Sequence, residues 1–292
     1  MSAISAMTLS SFLKSGHAQQ PHYVLFGHPV GHSLSPPMHN TALKYYGMPG
    51  RYYAVDLQPN ELERLASYLN WDSFRGANIT IPYKQMIGDY LDDIDPTAQS
   101  IGALNTIVKD SGRLRGLNTD LFGFKAPLRE HSDKLEGGRG LIFGTGGASR
   151  AVVTALIELG MEELYLVSRD PQKVQSYNAM DRVGVIAYSQ WPAYAEEAAL
   201  LVNATPLGMA PRTEASPVND QDRHFLAGRI CYDLVYNPLE TTFLGQAKSE
   251  GATTIGGLEM LIQQGSRSFE YWTGKPFPAE HIRTLLYEKL RQ

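Results

Sequence analysis

Short apolar runs alternate with helical periodicity along nearly the whole chain. Tyr23–Phe26, Arg51–Leu57 and Phe74–Thr80 carry the continuous or alternating apolar pattern of strands. Between them, Ser35 followed by Pro36 reads as a helix cap with Pro at the first helical position, and that helix would run to about Gly47. Pro59-Asn60-Glu61 opens another, ending near Asn70, and Ile81-Pro82-Tyr83-Lys84 stands where a further one begins. Ala103–Lys109 and Arg113–Leu117 form a hairpin pattern about Asp110-Ser111-Gly112. Later strands are expected at Leu141–Phe143, Glu163–Ser168, Val183–Tyr188, Leu200–Ala204, Ile230–Val235 and Thr253–Ile255. Two helical patterns close the chain, Leu258 to about Trp272 and Ala279 to Leu290.

The alternation predicts α/β architecture in both halves. At its centre Leu141–Phe143 runs into Gly144-Thr145-Gly146-Gly147-Ala148, then into a helical pattern ending at Gly160. Strand, glycine turn and helix is the context in which such a turn binds a dinucleotide, because the backbone can approach a pyrophosphate at the positive end of the helix. Ser149 stands where a third glycine is usual, so close packing of helix on strand should fall to Ala148 and Ala151.

The end of the next strand bears on which dinucleotide is held. An Asp or Glu there serves the ribose 2′-hydroxyl of NAD. Here the strand ends at Ser168 and turns through Arg169-Asp170-Pro171-Gln172-Lys173. Arg169 and Lys173 suit a 2′-phosphate, which favours NADP. Asp170 is either a dissenting acid or the cap of the helix that Pro171 begins.

This unit starts after more than a hundred residues, so the first part of the chain is a separate unit that should hold the substrate. With 292 residues, 43% hydrophobic and 19% charged, the chain has room for both. A net charge of −4 gives no basis for nucleic-acid or membrane-surface binding, and no apolar run reaches the roughly 20 residues of a membrane span. Cys231 is the only cysteine, read as a buried thiol, which fits a reducing cytoplasm. Residues 1–20 have neither a basic start nor a long apolar core and read as a flexible or loosely docked tail, in which Ile4, Leu9, Phe12 and Leu13 can form a short amphipathic turn. Before Asp56 there is no acidic residue, against Lys14, Lys44, Arg51 and five of the eight histidines, a balance that suits a small anionic ligand.

Four segments of the first unit cluster groups fit to bind a polyhydroxylated acid. Ser33 and Ser35 open a helix, where a carboxylate meets hydroxyls and backbone N–H groups. Asn78-Ile79-Thr80-Ile81-Pro82-Tyr83-Lys84 sets an amide, a hydroxyl and an ammonium beyond a strand end. Gly102-Ala103-Leu104-Asn105-Thr106 and Gly116-Leu117-Asn118-Thr119-Asp120 add amides and a carboxylate. Open α/β sheets bind ligands beyond their strand ends. No cluster has metal-ligand spacing; His32 and His39 lie seven apart without a carboxylate partner and are read as structural.

These motifs, with Gly27-x-Pro29-x-x-His32-Ser33-x-Ser35-Pro36-x-x-His39-Asn40, Asn203-Ala204-Thr205-Pro206-Leu207-Gly208-Met209, Asp233-x-x-Tyr236-Asn237-Pro238 and Gly256-Gly257-Leu258-x-Met260-Leu261, resemble shikimate dehydrogenases, from Tyr23 to the end of the chain. The resemblance implies reversible NADP-linked reduction of 3-dehydroshikimate to shikimate in aromatic amino-acid biosynthesis. It implies an α/β fold of two domains, a substrate-binding domain of residues 21–119 and 258–292, to which the last helices return, and a Rossmann-type NADP-binding domain of residues 120–257. The active site would lie in the interdomain cleft.

Carried over motif by motif, Lys84 and Asp120 are the catalytic pair. Ser33, Ser35, Thr80, Asn105, Tyr236 and Gln264 bind substrate, alignment from Met260-Leu261 selecting Gln264 over its neighbour Gln263. Gly144, Gly146, Gly147, Ala148, Ser168, Arg169, Lys173, Thr205 and Gly257 bind cofactor, with Gly257 near the nicotinamide. No metal is implied, and the chain would act as a monomer or homodimer. The chemistry is consistent: a ketone that receives hydride needs a proton, and an alcohol that yields hydride needs a base. The turn Ser168-Arg169-Asp170 departs from the Asn-Arg-Thr frequent in the family. A quinate/shikimate dehydrogenase accepting both acids and both NAD and NADP is the alternative, since a tolerant pocket discriminates weakly against one added hydroxyl.

Overall fold

The computed structural model describes residues 6–174, 177 and 180–291. Its strands are β1 (Met7–Thr8), β2 (His22–Gly27), β3 (Arg51–Asp56), β4 (Phe74–Ile79), β5 (Asp93–Ile94), β6 (Thr106–Asp110), β7 (Arg113–Leu117), β8 (Arg139–Phe143), β9 (Glu163–Ser168), β10 (Val183–Ala187), β11 (Ala198–Asn203), β12 (Ile230–Asp233) and β13 (Thr253–Ile255). Two compact units result. One holds the described residues up to Asp120 together with Ile262–Arg291, and the other holds Leu121–Leu261.

The first unit is built on a seven-stranded sheet ordered β1-β3-β2-β4-β6-β7-β5. Strands β1 to β4 run parallel, and β6 and β7 form an antiparallel hairpin against β4. Every residue of β2 is buried, as a strand covered on both faces requires. This order decides where the polar segments go. The ends of β2, β3 and β4, the start of β6 and the end of β7 all fall on one edge of the sheet, where Asn78 pairs with Thr106 and Thr106 with Leu117.

The N-terminal segment is not a loose tail over the described residues, and that expectation is corrected. β1 pairs in parallel with β3, Met7 opposite Val55. Thr8 caps the helix Leu9–Lys14 by accepting from the Ser11 N–H at 3.2 Å. Leu9 and Phe12 are wholly buried, and Phe12 packs on the rings of His22, Tyr53 and Tyr68. Ser10 donates to Glu61 Oε1 from both its backbone and its hydroxyl, at 2.9 and 2.7 Å. Leu9, Phe12 and Leu13, three of the apolar residues read as a turn, therefore have a partner surface, supplied by residues up to sixty positions away. Residues 1–5, Ile4 among them, lie outside the described residues.

The second unit is a parallel six-stranded sheet ordered β10-β9-β8-β11-β12-β13. Counted from its first strand this is 3-2-1-4-5-6, the dinucleotide-binding order, with its switch point between β8 and β11. Separate apolar clusters cover its faces, one holding Ile142, Val152, Leu156 and Leu166, the other Leu141, Phe143, Trp191 and Phe243. Cys231 lies inside the latter with its thiol pushed up to about 12 by burial. Among the described residues no helix is long and apolar enough to cross a membrane.

Candidate active site

Four of the polar segments meet at the shared edge of the first sheet. Lys84 lies in a single turn of 3-10 helix, Tyr83–Gln85, rather than at the head of a longer helix. Its backbone carbonyl accepts from Leu104 N at 2.8 Å, which ties the turn to the segment before β6. Its ammonium donates to Asp120 Oδ2 at 2.6 Å, with only 14% and 8% of the two side chains exposed. Asn105 Nδ2 donates to the other carboxylate oxygen, Oδ1, at 2.7 Å. The Asn105 amide can point only one way, because the Thr119 backbone N–H donates to its Oδ1 at 2.7 Å. Asp120 thus faces an ammonium on one oxygen and an amide N–H on the other.

Gln264 joins this group from the helix Gly257–Thr273, its Oε1 3.4 Å from Asn105 Nδ2. It is buried, whereas its neighbour Gln263 is only half-buried. Thr80 stands at the same edge, its N–H bonded to Phe26 O at 2.8 Å. Gly27 makes room for it: a Cβ there would collide with Thr80 Cγ2. Ser33 and Ser35 are brought together by a 3.2 Å bond from Ser35 N to Ser33 Oγ. Ser35 is the first helical residue and not the cap. Leu34 takes the cap position without a capping side chain, and Pro36 is second in the helix. Ser33 instead satisfies a first-turn N–H from outside the helix.

Beneath these residues lies a buried polar layer that sequence reading mostly missed. Tyr52 donates from its hydroxyl to Asn78 Oδ1 at 2.8 Å, and burial holds that phenol well above its usual range. Asn78 Nδ2 lies 3.0 Å from Ser268 Oγ and 3.1 Å from Thr106 Oγ1. Ser268 carried one signal, its place one helical turn beyond Gln264 on the same face. Tyr52 carried none beyond its strand.

The excess of basic residues before Asp56 overstates the charge. His22 donates from Nδ1 to the Gln20 carbonyl at 2.7 Å and meets the Tyr68 hydroxyl at Nε2, and burial holds its pKa low. His39 is fully buried against Tyr52, and burial pushes it down to about 3. Both rings are neutral near pH 7. His28 pairs with Asp56 at 2.5 Å.

In the second unit Gly144 follows β8 with φ +106°, a conformation that favours glycine, and a Cβ there would lie 2.9 Å from Thr205 Cγ2. Thr205 follows β11, so the two face each other across the switch point. Gly146 precedes the helix Gly147–Glu158, which no side chain caps. A phosphate fits such a helix end, whose first N–H groups lack side-chain acceptors. Ser149 takes part in the close packing assigned to Ala148 and Ala151. It is wholly buried and donates to Gly144 O at 3.0 Å, Ala151 is wholly buried, and Ala148 is only half-buried.

At the end of β9, Ser168 is buried and accepts at Oγ from Asp170 N at 3.2 Å, while Arg169 is exposed. Asp170 makes no side-chain cap for Pro171–Lys173. Its carboxylate binds Lys173 Nζ at 2.7 Å, so that ammonium is already engaged. Gly257 donates to Val235 O at 3.3 Å, and Tyr236 lies half-buried just past β12. Both belong to the second unit. Asp233, at the end of β12, is a buried carboxyl that accepts from Asn203 Nδ2, Val235 N and Thr241 Oγ1 at 3.0, 2.9 and 2.6 Å. Burial nevertheless raises it to about 6. Among the described residues no group of three or more His, Cys, Asp or Glu is placed to hold a metal ion.

The family model for the shikimate dehydrogenase substrate binding domain matches residues 25–107, and that for the shikimate 5′-dehydrogenase C-terminal domain matches residues 257–287. Shikimate dehydrogenase (NADP(+)) of Moorella thermoacetica is 42% identical over 279 residues, 91% of this chain and 92% of its own. The enzyme of the same name from Symbiobacterium thermophilum is 40% identical over 274 residues, 89% of this chain and 91% of its own. The crystal structure of shikimate 5-dehydrogenase from Thermus thermophilus, in complex with NADP(H) and shikimate, superposes with a TM-score of 0.81 at 36% identity. It covers 92% of this chain and 99% of that one.

Proposed function

This chain belongs to the shikimate dehydrogenase family, and on that premise we propose that it catalyses the reversible NADP-dependent reduction of 3-dehydroshikimate to shikimate, a step of aromatic amino-acid biosynthesis, with Lys84 and Asp120 as its catalytic pair. The observation that carries the residue assignment is the short, mostly buried contact of Lys84 with Asp120, oriented from behind by Asn105. When bound, NADP supplies or accepts the hydride. Lys84 Nζ gives a proton to the oxygen of the reduced carbonyl and takes one from the hydroxyl in the reverse direction. Asp120 bonds that nitrogen and aims it.

Ser33 and Ser35 hold the substrate carboxylate, the second beside the start of its helix. Thr80, Asn105, Tyr236 and Gln264 read the ring hydroxyls. Gly144, Gly146, Gly147 and Ala148 receive the pyrophosphate, a role the open turn and uncapped helix support. Ser168, Arg169 and Lys173 address the adenosine end, Arg169 foremost because Lys173 is paired with Asp170. Thr205 and Gly257 complete the cofactor contacts. We place the enzyme in the cytoplasm, acting on small molecules without nucleic acid, as a monomer or homodimer; a lone buried thiol accords with a reducing compartment.

The test is an assay of the purified protein with NADP and with NAD, each with shikimate and with quinate. Turnover of shikimate with NADP far above the other three combinations supports the proposal. Comparable turnover of quinate, or comparable use of NAD, would make the protein a quinate/shikimate dehydrogenase. No turnover of either acid would reject the activity.

A further inference from the structure

At the switch point of the second sheet, Asn203 ends β11 wholly buried and uses every hydrogen-bonding group of its side chain. Its Nδ2 donates to Leu207 O and to Asp233 Oδ1, both at 3.0 Å. Its Oδ1 accepts from the Thr205 backbone N–H at 3.1 Å and from the Thr205 hydroxyl at 2.6 Å. A backbone N–H on one atom and a backbone carbonyl on the other leave the amide a single orientation. The Thr205 hydroxyl proton must then lie towards Asn203, because the amide oxygen has none to give. The Leu207 N–H donates to Thr205 Oγ1 at 3.1 Å, so the hydroxyl both gives and accepts within the turn.

Thr205 has no hydroxyl proton left for a ligand, and the group it turns to the glycine turn is its methyl. A Cβ at Gly144 would lie 2.9 Å from that carbon. Gly144 is braced further by Ser149 Oγ, which donates to its carbonyl, and by Val167 O, which accepts from its N–H, both at 3.0 Å. We propose that Asn203 is a positioning residue for the cofactor: it holds the turn of residues 205–207 so that the Thr205 methyl backs Gly144. Thr205 then serves the dinucleotide by packing and not as a hydrogen-bond donor. The inference rests on the reading of Gly144 and Thr205 as cofactor residues given above. Among the described residues, Asn203 makes the only hydrogen bonds that tie residues 205–209 to the sheet; Leu207 N–H bonds within the turn, and Met209 N–H donates to Pro206 O at 3.2 Å. Without the amide, water can satisfy the half-buried Thr205 and Leu207 but fixes neither.

Asn203→Ala should raise the Kd of NADPH about tenfold, the scale of one or two lost hydrogen bonds. The Kd of NADH should rise by the same factor, because the glycine turn serves the pyrophosphate that both cofactors share. The KM for shikimate should hardly move. Thr205→Ser keeps both hydroxyl bonds and removes only the methyl, and it should weaken both cofactors about fourfold, the worth of one methyl group. On an Asn203→Ala background the same change should cost nearly nothing more, since the methyl is no longer held. Unchanged affinities in Asn203→Ala, even with lowered stability, would overturn the proposal. So would a Thr205→Ser variant that binds as wild type does, the result expected of a hydroxyl that donates to the cofactor. Losses that add in full in the double variant would overturn it as well.

The affinities are read by titrating each protein with NADPH and with NADH and following nicotinamide fluorescence, with no substrate present. An enzyme inactive on shikimate would thus reject the activity while these titrations still decide the role of Asn203. A wild-type protein that binds neither dinucleotide overturns the cofactor reading and this proposal together. Should Asn203→Ala not fold, the half-buried Thr205 carries the test. Wild-type affinity for both cofactors in Thr205→Ser refutes the proposal by itself.

Discussion

Lys84 Nζ and Asp120 Oδ2 are 2.6 Å apart although 36 residues separate them in the chain. The contact joins the turn after β4 to the residues that follow β7, and both side chains are largely withdrawn from water. An ion pair in that setting is screened little, so each partner holds the other in place.

Lys84→Ala should cut kcat for shikimate oxidation by about 10²–10⁴, the usual range for a positioned acid or base, with a much smaller change in KM. Asp120→Asn keeps the shape and loses the charge, and should cost a similar factor. The double variant should be little worse than either single one, because the two side chains act as a unit. Steady-state kinetics on the four proteins decides this. Fully additive losses would show that the residues work independently.

Arg169→Ala should weaken NADP and spare NAD, by about 1.5–3 kcal/mol if a charge-assisted contact to the 2′-phosphate is lost. Lys173→Ala should do less, since that ammonium is 84% exposed and bonded to Asp170. KM values for both cofactors with each variant are the measurement. Equal changes for NADP and NAD in Arg169→Ala would remove the arginine from cofactor choice.

Ser33→Ala and Ser35→Ala should each raise the KM for shikimate, by about 1 kcal/mol or somewhat more where the acceptor is a carboxylate. The KM for NADP should hardly move. Ser33→Ala also removes the acceptor of the Ser35 N–H, so it should be the more damaging of the two. Unchanged shikimate KM in both variants would show that the carboxylate binds elsewhere.

Asp233 makes folding depend on pH. Burial raises its native pKa from 3.8 to about 6, so between those values the folded state holds the proton more tightly than the unfolded chain does. Its contribution is therefore most favourable below about pH 4 and is lost as pH rises through about 6, by about 3 kcal/mol in all. Asp233→Asn cannot ionise and should flatten this segment of the stability profile. Urea melts of both proteins from pH 4 to 7 test it; parallel profiles would mean that the carboxyl titrates normally.

Phe12→Ala should destabilise the first unit by about 3–5 kcal/mol, as loss of a fully buried aromatic does. A loosely attached segment would cost almost nothing. Denaturant unfolding distinguishes the two, and a variant within 0.5 kcal/mol of wild type, on the order expected of a surface change, would return the segment to the status of a tail.

Most of the elements were legible in the sequence, because the signals that make them are local, while the N-terminal strand and helix and the 3-10 turn at Lys84 were not. The apolar run of β2, the hairpin about Asp110-Ser111-Gly112 and the strand, glycine turn and helix at Gly144 are each written in residues a few positions apart. The polar segments that hold Lys84, Asn105 and Asp120 were visible for the same reason, as turns and caps beyond strand ends.

What tertiary structure alone decided is which distant residues meet. Strand order brings the start of β6 and the end of β7 beside the end of β4, and so sets Asn105 between Asp120 and Gln264. The docking of Phe12, the neutrality of His22 and His39 and the bond between Asn78 and Ser268 follow likewise from partners that no local pattern names. Packing free energy and the cost of burying a charge belong to the folded neighbourhood of a side chain. Its neighbours in sequence fix its conformation, while its neighbours in space fix its charge and its bonds.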